Sequence, residues 1–206
     1  LLVWAAGIPT RIGYRTWKRG WLLTKAVQPI PVDTLHKVDT FLRMVEAAGI
    51  APDGRAYDAG ITTQDRTAAH QLRAELGFPS QQKVVAVHAG ANWRLKRWHP
   101  KNFAQLGDQL TERFGVQVLF VGGSGDIPLI QGIGEQMKNK PLIAAGRTTF
   151  RQLGALLEQT SLLISNDSGP LHMGLAVGVP VVALFGPTDP KLTGPLENDH
   201  SATLFG

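Results

Sequence analysis

The chain has 206 residues, 43% of them hydrophobic, no cysteine and a formal net charge of +5. That length and apolar fraction suit one sizeable domain, or one domain with part of another, and no apolar run reaches the length of a membrane span. Without cysteine there is no disulfide, no thiolate metal site and no thiol nucleophile, which fits a reducing compartment.

Residues 1–7 read as the tail of an apolar helix ending at Gly7, and are neither an initiator methionine nor a signal peptide. With a strand-like stretch at 201–206, this leads us to expect a fragment of a longer protein. Residues 11–14 and 21–24 are expected to be two strands around Lys18-Arg19-Gly20. Asp33 is a candidate cap for a helix with Leu35, Val38, Leu42 and Val45 inward, ended at Gly49. Residues 50–60 are loop-like, and a helix is expected over 63–76, stopped by Gly77. Residues 1–60 therefore read as the end of one α/β domain with its linker, and 61–206 as a second domain.

From Val84 a regular rhythm sets in. Residues 84–88 predict a strand. Phe103, Leu106, Leu110 and Phe114 fall at helical spacing, with Pro100 in the first turn. Residues 117–121 predict the next strand and 122–126 its glycine loop. Ile127, Ile130, Ile133 and Met137 mark a helix, and 142–145 a third strand. Thr148 or Thr149 caps a helix bearing Phe150, Leu153, Leu156 and Leu157. Strands follow at 161–165 and 181–185. Five strands alternating with helices predict a parallel, doubly wound, Rossmann-like α/β sheet covered on both faces. Ligands of such sheets lie beyond the carboxyl ends of the strands.

Two loops at those ends carry candidate chemistry. Ser165-Asn-Asp-Ser-Gly-Pro-Leu-His172 leaves one strand and enters a short helix. Ser168 is suited to cap that helix and Pro170 to its first turn, which turns free N–H groups and a positive dipole end toward the loop. That is an anion site in principle. Asp167 can accept from a sugar hydroxyl or an amide, and His172 can donate to a phosphate. The same residues are also ordinary turn and cap chemistry, so both readings stand. His88-Ala-Gly-Ala-Asn-Trp-Arg-Leu-Lys-Arg-Trp-His-Pro100 leaves another strand. Ala89, Gly90 and Ala91 let backbone N–H groups approach a ligand, and Lys96 and Arg97 add charge; Lys offers a compact ammonium suited to two phosphates. A solvated loop anchored by Trp93 and Trp98 is the alternative.

Gly122-Gly-Ser-Gly-Asp126 lacks the third glycine of a dinucleotide fingerprint and the Gly-Lys of a P-loop. Asp126 stands where an acid can take a ribose hydroxyl pair, or simply caps a helix. No metal-ligand spacing and no Gly-x-Ser-x-Gly elbow appears. His36 and Asp39 share a helix face as a surface pair, and Asp189 reads as a turn residue. The positive charge is local: residues 1–32 and 76–107 contain no acid, and such surfaces attract phosphates.

The elements Ser165-Asn-Asp-Ser-Gly-Pro-Leu-His172, Leu184-Phe-Gly-Pro-Thr-Asp-Pro190 and Lys96-Arg-Trp-His-Pro100, with weaker Gly13-Tyr14 and His36-Lys-Val-Asp39, together resemble glycosyltransferase family 9. These are the ADP-heptose:lipopolysaccharide heptosyltransferases, and the likeness covers nearly the whole chain. The resemblance implies a GT-B fold, two Rossmann-like domains facing a cleft, with no metal and no cofactor. The carboxyl-terminal half would bind the donor nucleotide, ADP-heptose or ADP. By position, Lys96 would contact the diphosphate with the backbone of Ala89, Gly90 and Ala91 nearby. Asp126 would hold the ribose, and the backbone at Arg147 and Thr148 would border the adenine. Asp167, Ser168, Gly169 and His172 would surround the diphosphate and sugar, with Lys96 and His172 stabilising the leaving group.

The resemblance further implies transfer of heptose to the inner core of lipopolysaccharide, in the cytoplasm or at the inner face of the inner membrane. Arg11, Arg15, Lys18 and Arg19 would meet acidic acceptor sugars or lipid phosphates, with peripheral membrane contact left open and no nucleic-acid partner. The family's general base, an aspartate near the amino terminus, is expected upstream, so this fragment alone is expected to be inactive. A non-catalytic nucleotide-binding module, or a GT-B transferase of another nucleotide sugar, are the alternatives. Lys96-Arg-Trp-His-Pro100 has one residue more than the common Lys-Arg-Trp-Pro, which is expected to shift the first turn of the following helix. Pro170 stands where many relatives have another residue and is expected to stiffen its turn.

Overall fold

The computed structural model describes residues 2–29, 31, 34–196 and 200–206. The chain divides into two compact units, Leu1–Ala56 with Lys191–Thr193, and Tyr57–Pro190 with Gly194–Gly206.

The first unit contains helix α1 (Leu2–Ala5), strands β1 (Ile12–Tyr14) and β2 (Lys25–Val27), and helix α2 (Lys37–Ala47). The two strands are parallel, with Ile12 opposite Lys25. The second strand therefore lies at 25–27 and not at the expected 21–24. Parallel strands cannot be joined by a tight turn, and residues 20–22 instead wind into a single 3₁₀ turn. Arg11 pins that connection: its N–H donates to Thr24 Oγ1 at 2.7 Å and its Nε to the Leu22 carbonyl at 2.6 Å. The expected cap Asp33 lies outside the described residues. Leu35 precedes α2, and His36 caps it, Nδ1 accepting the Val38 N–H at 3.2 Å.

The second unit begins with α3 (Thr63–Glu75), opened by a reciprocal cap between Thr62 and Asp65 and closed by Gly77, whose φ of +67° suits only glycine at low cost. Then come β3 (Val84–His88), α4 (Pro100–Phe114), β4 (Gln117–Phe120), α5 (Ile127–Gly134), β5 (Leu142–Ile143), α6 (Phe150–Leu157), β6 (Leu162–Asn166), α7 (Gly169–Ala176), β7 (Val181–Phe185), α8 (Pro190–Thr193) and β8 (Ser201–Phe205). Thr149 is the residue that caps α6, in a reciprocal pair with Gln152.

All six strands of the large sheet are parallel, in the order β5-β4-β3-β6-β7-β8. β8 is a sixth strand beyond the five alternating ones. The chain winds outward from β3 through β4 to β5, then crosses to β6 on the other side of β3. Such a reversal opens a crevice at the carboxyl ends of the two central strands. The register sets His88 beside Ser165 there.

β3 is buried along its whole length, as its near-continuous apolar run requires. Its side chains alternate between two cores. Val84 and Ala86 join Leu153, Leu156, Leu157, Leu171 and Met173; Val85 and Val87 join Phe103, Phe120, Ile130 and Ile133. Phe114 and Phe150, expected in the core, are exposed at the last position of α4 and the first of α6. Helix ends overrun the sheet, so correct spacing does not ensure burial there.

Candidate functional site

The loop after β3 is built from the inside. Asn166, the last residue of β6, is fully buried. Its Nδ2 donates to the carbonyls of Ala89 and Gly90 at 2.9 and 3.2 Å, and its Oδ1 accepts the Trp98 N–H at 3.2 Å. Arg97 turns inward, Nε and Nη2 donating to the Ala91 carbonyl at 2.9 and 2.6 Å. Three successive carbonyls are thus held on one side. In a trans peptide the following N–H points the opposite way, so the N–H groups of Gly90, Ala91 and Asn92 point away from Asn166 and Arg97. None of the three has a protein partner among the described residues. Successive free amides of this kind form a nest for an anion.

His99 takes the N-cap position, Nδ1 accepting the Lys101 N–H at 3.3 Å, and Pro100 remains the first helical residue. Trp98 packs edge-on against Phe103 at 5.3 Å, while Trp93 is half exposed.

The turn after β6 faces this loop, and Lys96 joins the two. Lys96 Nζ lies 2.6 Å from Asp167 Oδ2. Thr188 Oγ1 donates to the same oxygen at 2.7 Å. Asp167 is buried, and this oxygen is held by two protein donors rather than presented to a sugar. Ser168 stands at the N-cap position of α7 but does not cap it. Its Oγ lies 3.0 Å from His88 Nδ1, 3.0 Å from the Asn166 carbonyl and 3.2 Å from Ser165 Oγ. The expected serine cap is absent: Pro170 offers no N–H, the Leu171 N–H donates to the Ser168 carbonyl at 3.2 Å, and the hydroxyl stays with its partners on the strand side. The N–H groups of Ser168 and Gly169 have no protein partner among the described residues, and Pro170 has no N–H. His172, half-buried in the first turn, tilts against the Tyr57 ring at 6.1 Å.

A third loop, after β4, brings Asp126 underneath. Its Oδ2 accepts the Gly123 N–H at 3.0 Å and lies 3.7 Å from His88 Nε2, an ion-pair approach longer than a hydrogen bond. A Cβ on Gly90 would run into the carboxylate, and one on Gly122 would stand 2.9 Å from it. These glycines give Asp126 its room. His88 beside it holds the carboxyl below its ordinary value; burial opposes the shift, and the Gly123 N–H and Arg97 add to it. Asp126 thus points toward His88, with 20% of its side chain exposed.

The remaining candidates are dispersed. Arg147 is exposed and paired with Glu75 of α3, and Thr148 lines a pocket of 180 Å³ with Leu72 and Gln152. Arg11 is turned onto loop carbonyls, whereas Arg15, Lys18 and Arg19 are exposed. Asp39 pairs with Arg55, and His36 caps α2. Asp189 lies immediately before α8. Among the described residues no cluster of His, Cys, Asp or Glu could hold a metal ion, and no helix is long and apolar enough to cross a membrane. Sequence reasoning missed the parts played by His88, Asn166 and Thr188. The available signal was a polar residue ending an apolar run, at His88 and at Asn166.

The family model described as glycosyltransferase family 9 (heptosyltransferase) matches residues 1–205. The chain belongs to glycosyltransferase family 9. A curated relative, lipopolysaccharide heptosyltransferase 3 of Escherichia coli K12, is 31% identical over 163 residues, covering 77% of this chain and 46% of its own. The crystal structure of a family 9 glycosyltransferase from Veillonella parvula matches with a TM-score of 0.84 at 30% identity, over 100% of this chain and 58% of that one. The E. coli ADP-heptose lipopolysaccharide heptosyltransferase II shares the fold, with a TM-score of 0.78 at 24% identity over 97% of this chain and 62% of that one. The chain spans about half the length of the curated relatives it matches. Its parallel sheet is the Rossmann-like half of the GT-B fold of family 9.

Proposed function

We propose that this chain supplies the donor-nucleotide part of a metal-independent heptosyltransferase moving heptose from ADP-heptose to the lipopolysaccharide core. The unit beginning at Tyr57 acts as the nucleotide-binding domain, and the unit before it as the end of an acceptor domain. One observation carries this reading. Five N–H groups, at residues 90–92 and 168–169, lack protein partners among the described residues and stand at two adjacent strand ends bridged by Lys96. A diphosphate has the oxygens and charge to engage both sets. The Lys96 ammonium has three donors and directs one to Asp167, which leaves two for phosphates. Family membership and the heptosyltransferase relatives support the sugar and the acceptor.

In the reaction the acceptor hydroxyl oxygen attacks the anomeric carbon and gives its proton to a base. The bond from that carbon to the phosphate oxygen breaks, and its electron pair stays on the diphosphate. The developing charge meets the two sets of N–H dipoles and Lys96, already oriented before the reaction. His172 adds a donor beside the α7 turn. Asp126 is the candidate ribose contact, and the backbone at Arg147 and Thr148 borders the adenine. Arg15, Lys18 and Arg19 are offered to acidic acceptor groups on the cytoplasmic face of the membrane, with Arg11 bracing their loop. A thermal-shift panel of ADP-heptose, ADP, UDP and GDP tests this. The expected result is stabilisation by the two adenine nucleotides above the others; a preference for UDP or GDP would reassign the donor.

A further inference from the structure

Three strand ends meet at Asp167. Its own N–H donates to the Leu184 carbonyl of β7 at 3.0 Å. Lys96 reaches its Oδ2 from the loop after β3, and Thr188 reaches the same oxygen from the bend after β7. The Asp167 side chain is 5% exposed and that of Lys96 22%. Neither the amide nest nor the α7 turn includes Thr188. Its hydroxyl makes no other hydrogen bond among the described residues. A lysine ammonium rides on a flexible four-carbon stem, so its place is set by what it meets. Here it meets one oxygen of a carboxylate whose terminal torsion is itself broad. A lone ion pair would let the oxygen and the ammonium swing together. A second donor on the same oxygen, arriving from a different loop, removes that freedom.

We propose that Thr188 is a positioning residue: its hydroxyl fixes Asp167 Oδ2, and through it holds the Lys96 ammonium where the two remaining N–H groups meet the donor's diphosphate. The inference deepens the nucleotide reading above and rests on it. Thr188 itself does not touch the nucleotide; it acts through Asp167 and Lys96. The loop after β7 thereby sets the cation supplied by the loop after β3. Losing the hydroxyl costs only what a well-placed Lys96 contributes, the preference for two phosphates over one. A residue that merely kept the loop after β7 folded would affect ADP and AMP alike, and would do so with or without Lys96.

ADP and AMP are titrated calorimetrically into wild type, Thr188→Val, Thr188→Ser, Lys96→Met and the double variant Lys96→Met with Thr188→Val. Thr188→Val is expected to weaken ADP binding about fivefold, the size of one hydrogen bond, and to narrow the preference for ADP over AMP by a similar factor. Thr188→Ser keeps the hydroxyl and recovers most of that loss. In the Lys96→Met background, Thr188→Val adds less than about a further twofold. Unchanged ADP binding in Thr188→Val, an equal loss for ADP and AMP, no recovery in Thr188→Ser, or a full second loss in the double variant would each overturn the inference. If Thr188→Val does not fold, Thr188→Ala removes the same hydroxyl and is read by the same criteria. A wild type that ignores ADP overturns the nucleotide reading and this inference with it. A wild type that prefers ADP to AMP while Thr188→Val does so equally overturns this inference alone.

Discussion

At the residue scale, the site depends on a few buried polar groups whose partners are fully specified. Asn166 makes three hydrogen bonds with no exposure, two of them orienting the carbonyls behind the nest. Asn166→Ala strands those carbonyls and the Trp98 N–H, and should cost about 2–3 kcal/mol in urea unfolding. Lys96 is the buried Asp167's charged partner. Lys96→Met should destabilise the fold by about 2 kcal/mol, because Asp167 loses its charged donor and keeps only Thr188 on that oxygen. It should also weaken ADP binding about tenfold, the contribution of one hydrogen bond to a charged group. From sequence alone the residue types at 88–100 and 165–172 fit an anion site and equally ordinary turn, cap and loop chemistry. Their partners were not readable, because a local sequence gives no distance between strands that lie 77 positions apart. Ser168 illustrates this: its residue type favours a cap, and its hydroxyl is instead met by His88, Ser165 and the Asn166 carbonyl.

At the element scale, hydrophobic period and end signals located most of the second unit. The glycine and proline signals at Gly77 and Pro100 worked because they act within a single turn. The error at 21–24 arose because a strand pair of three residues each carries too little pattern to fix its partner or direction. Packing between elements gives a direct test. A Cβ at Gly174 of α7 would stand 2.6 Å from Leu163 Cδ2 of β6 and 3.2 Å from Val181 Cγ2 of β7. Gly174→Ala should therefore lose about 1–3 kcal/mol by overpacking, read as a lower urea midpoint. Acid sensitivity belongs to this scale too. Asp108 of α4 accepts the Lys138 and Asn139 N–H groups in the loop between α5 and β5. Burial pushes its carboxyl up, but those hydrogen bonds outweigh it and the value is lowered; Asp126 is also lowered. A carboxyl depressed in the folded state gives stability above its unfolded value and loses it as pH falls through the folded one. Stability should thus decline below about pH 4, and the decline should be shallower in Asp108→Asn and Asp126→Asn.

At the scale of the whole molecule, strand order turns scattered motifs into one site. The sequence pattern predicts a doubly wound sheet, yet only the order β5-β4-β3-β6-β7-β8 puts the ends of β3 and β6 side by side. Lys96 can then reach Asp167, and two separate sets of amides without protein partners among the described residues stand at adjacent strand ends. The net charge of +5 favours anions in general, so affinity for a nucleotide does not by itself identify the grip. The comparison of ADP with AMP does, since only ADP carries two phosphates to span both turns. Calorimetric titration of both nucleotides should give ADP binding at least about tenfold tighter than AMP, with the gap largely lost in Lys96→Met. Equal affinities for ADP and AMP, or a gap untouched by Lys96→Met, would contradict a diphosphate held between these two turns.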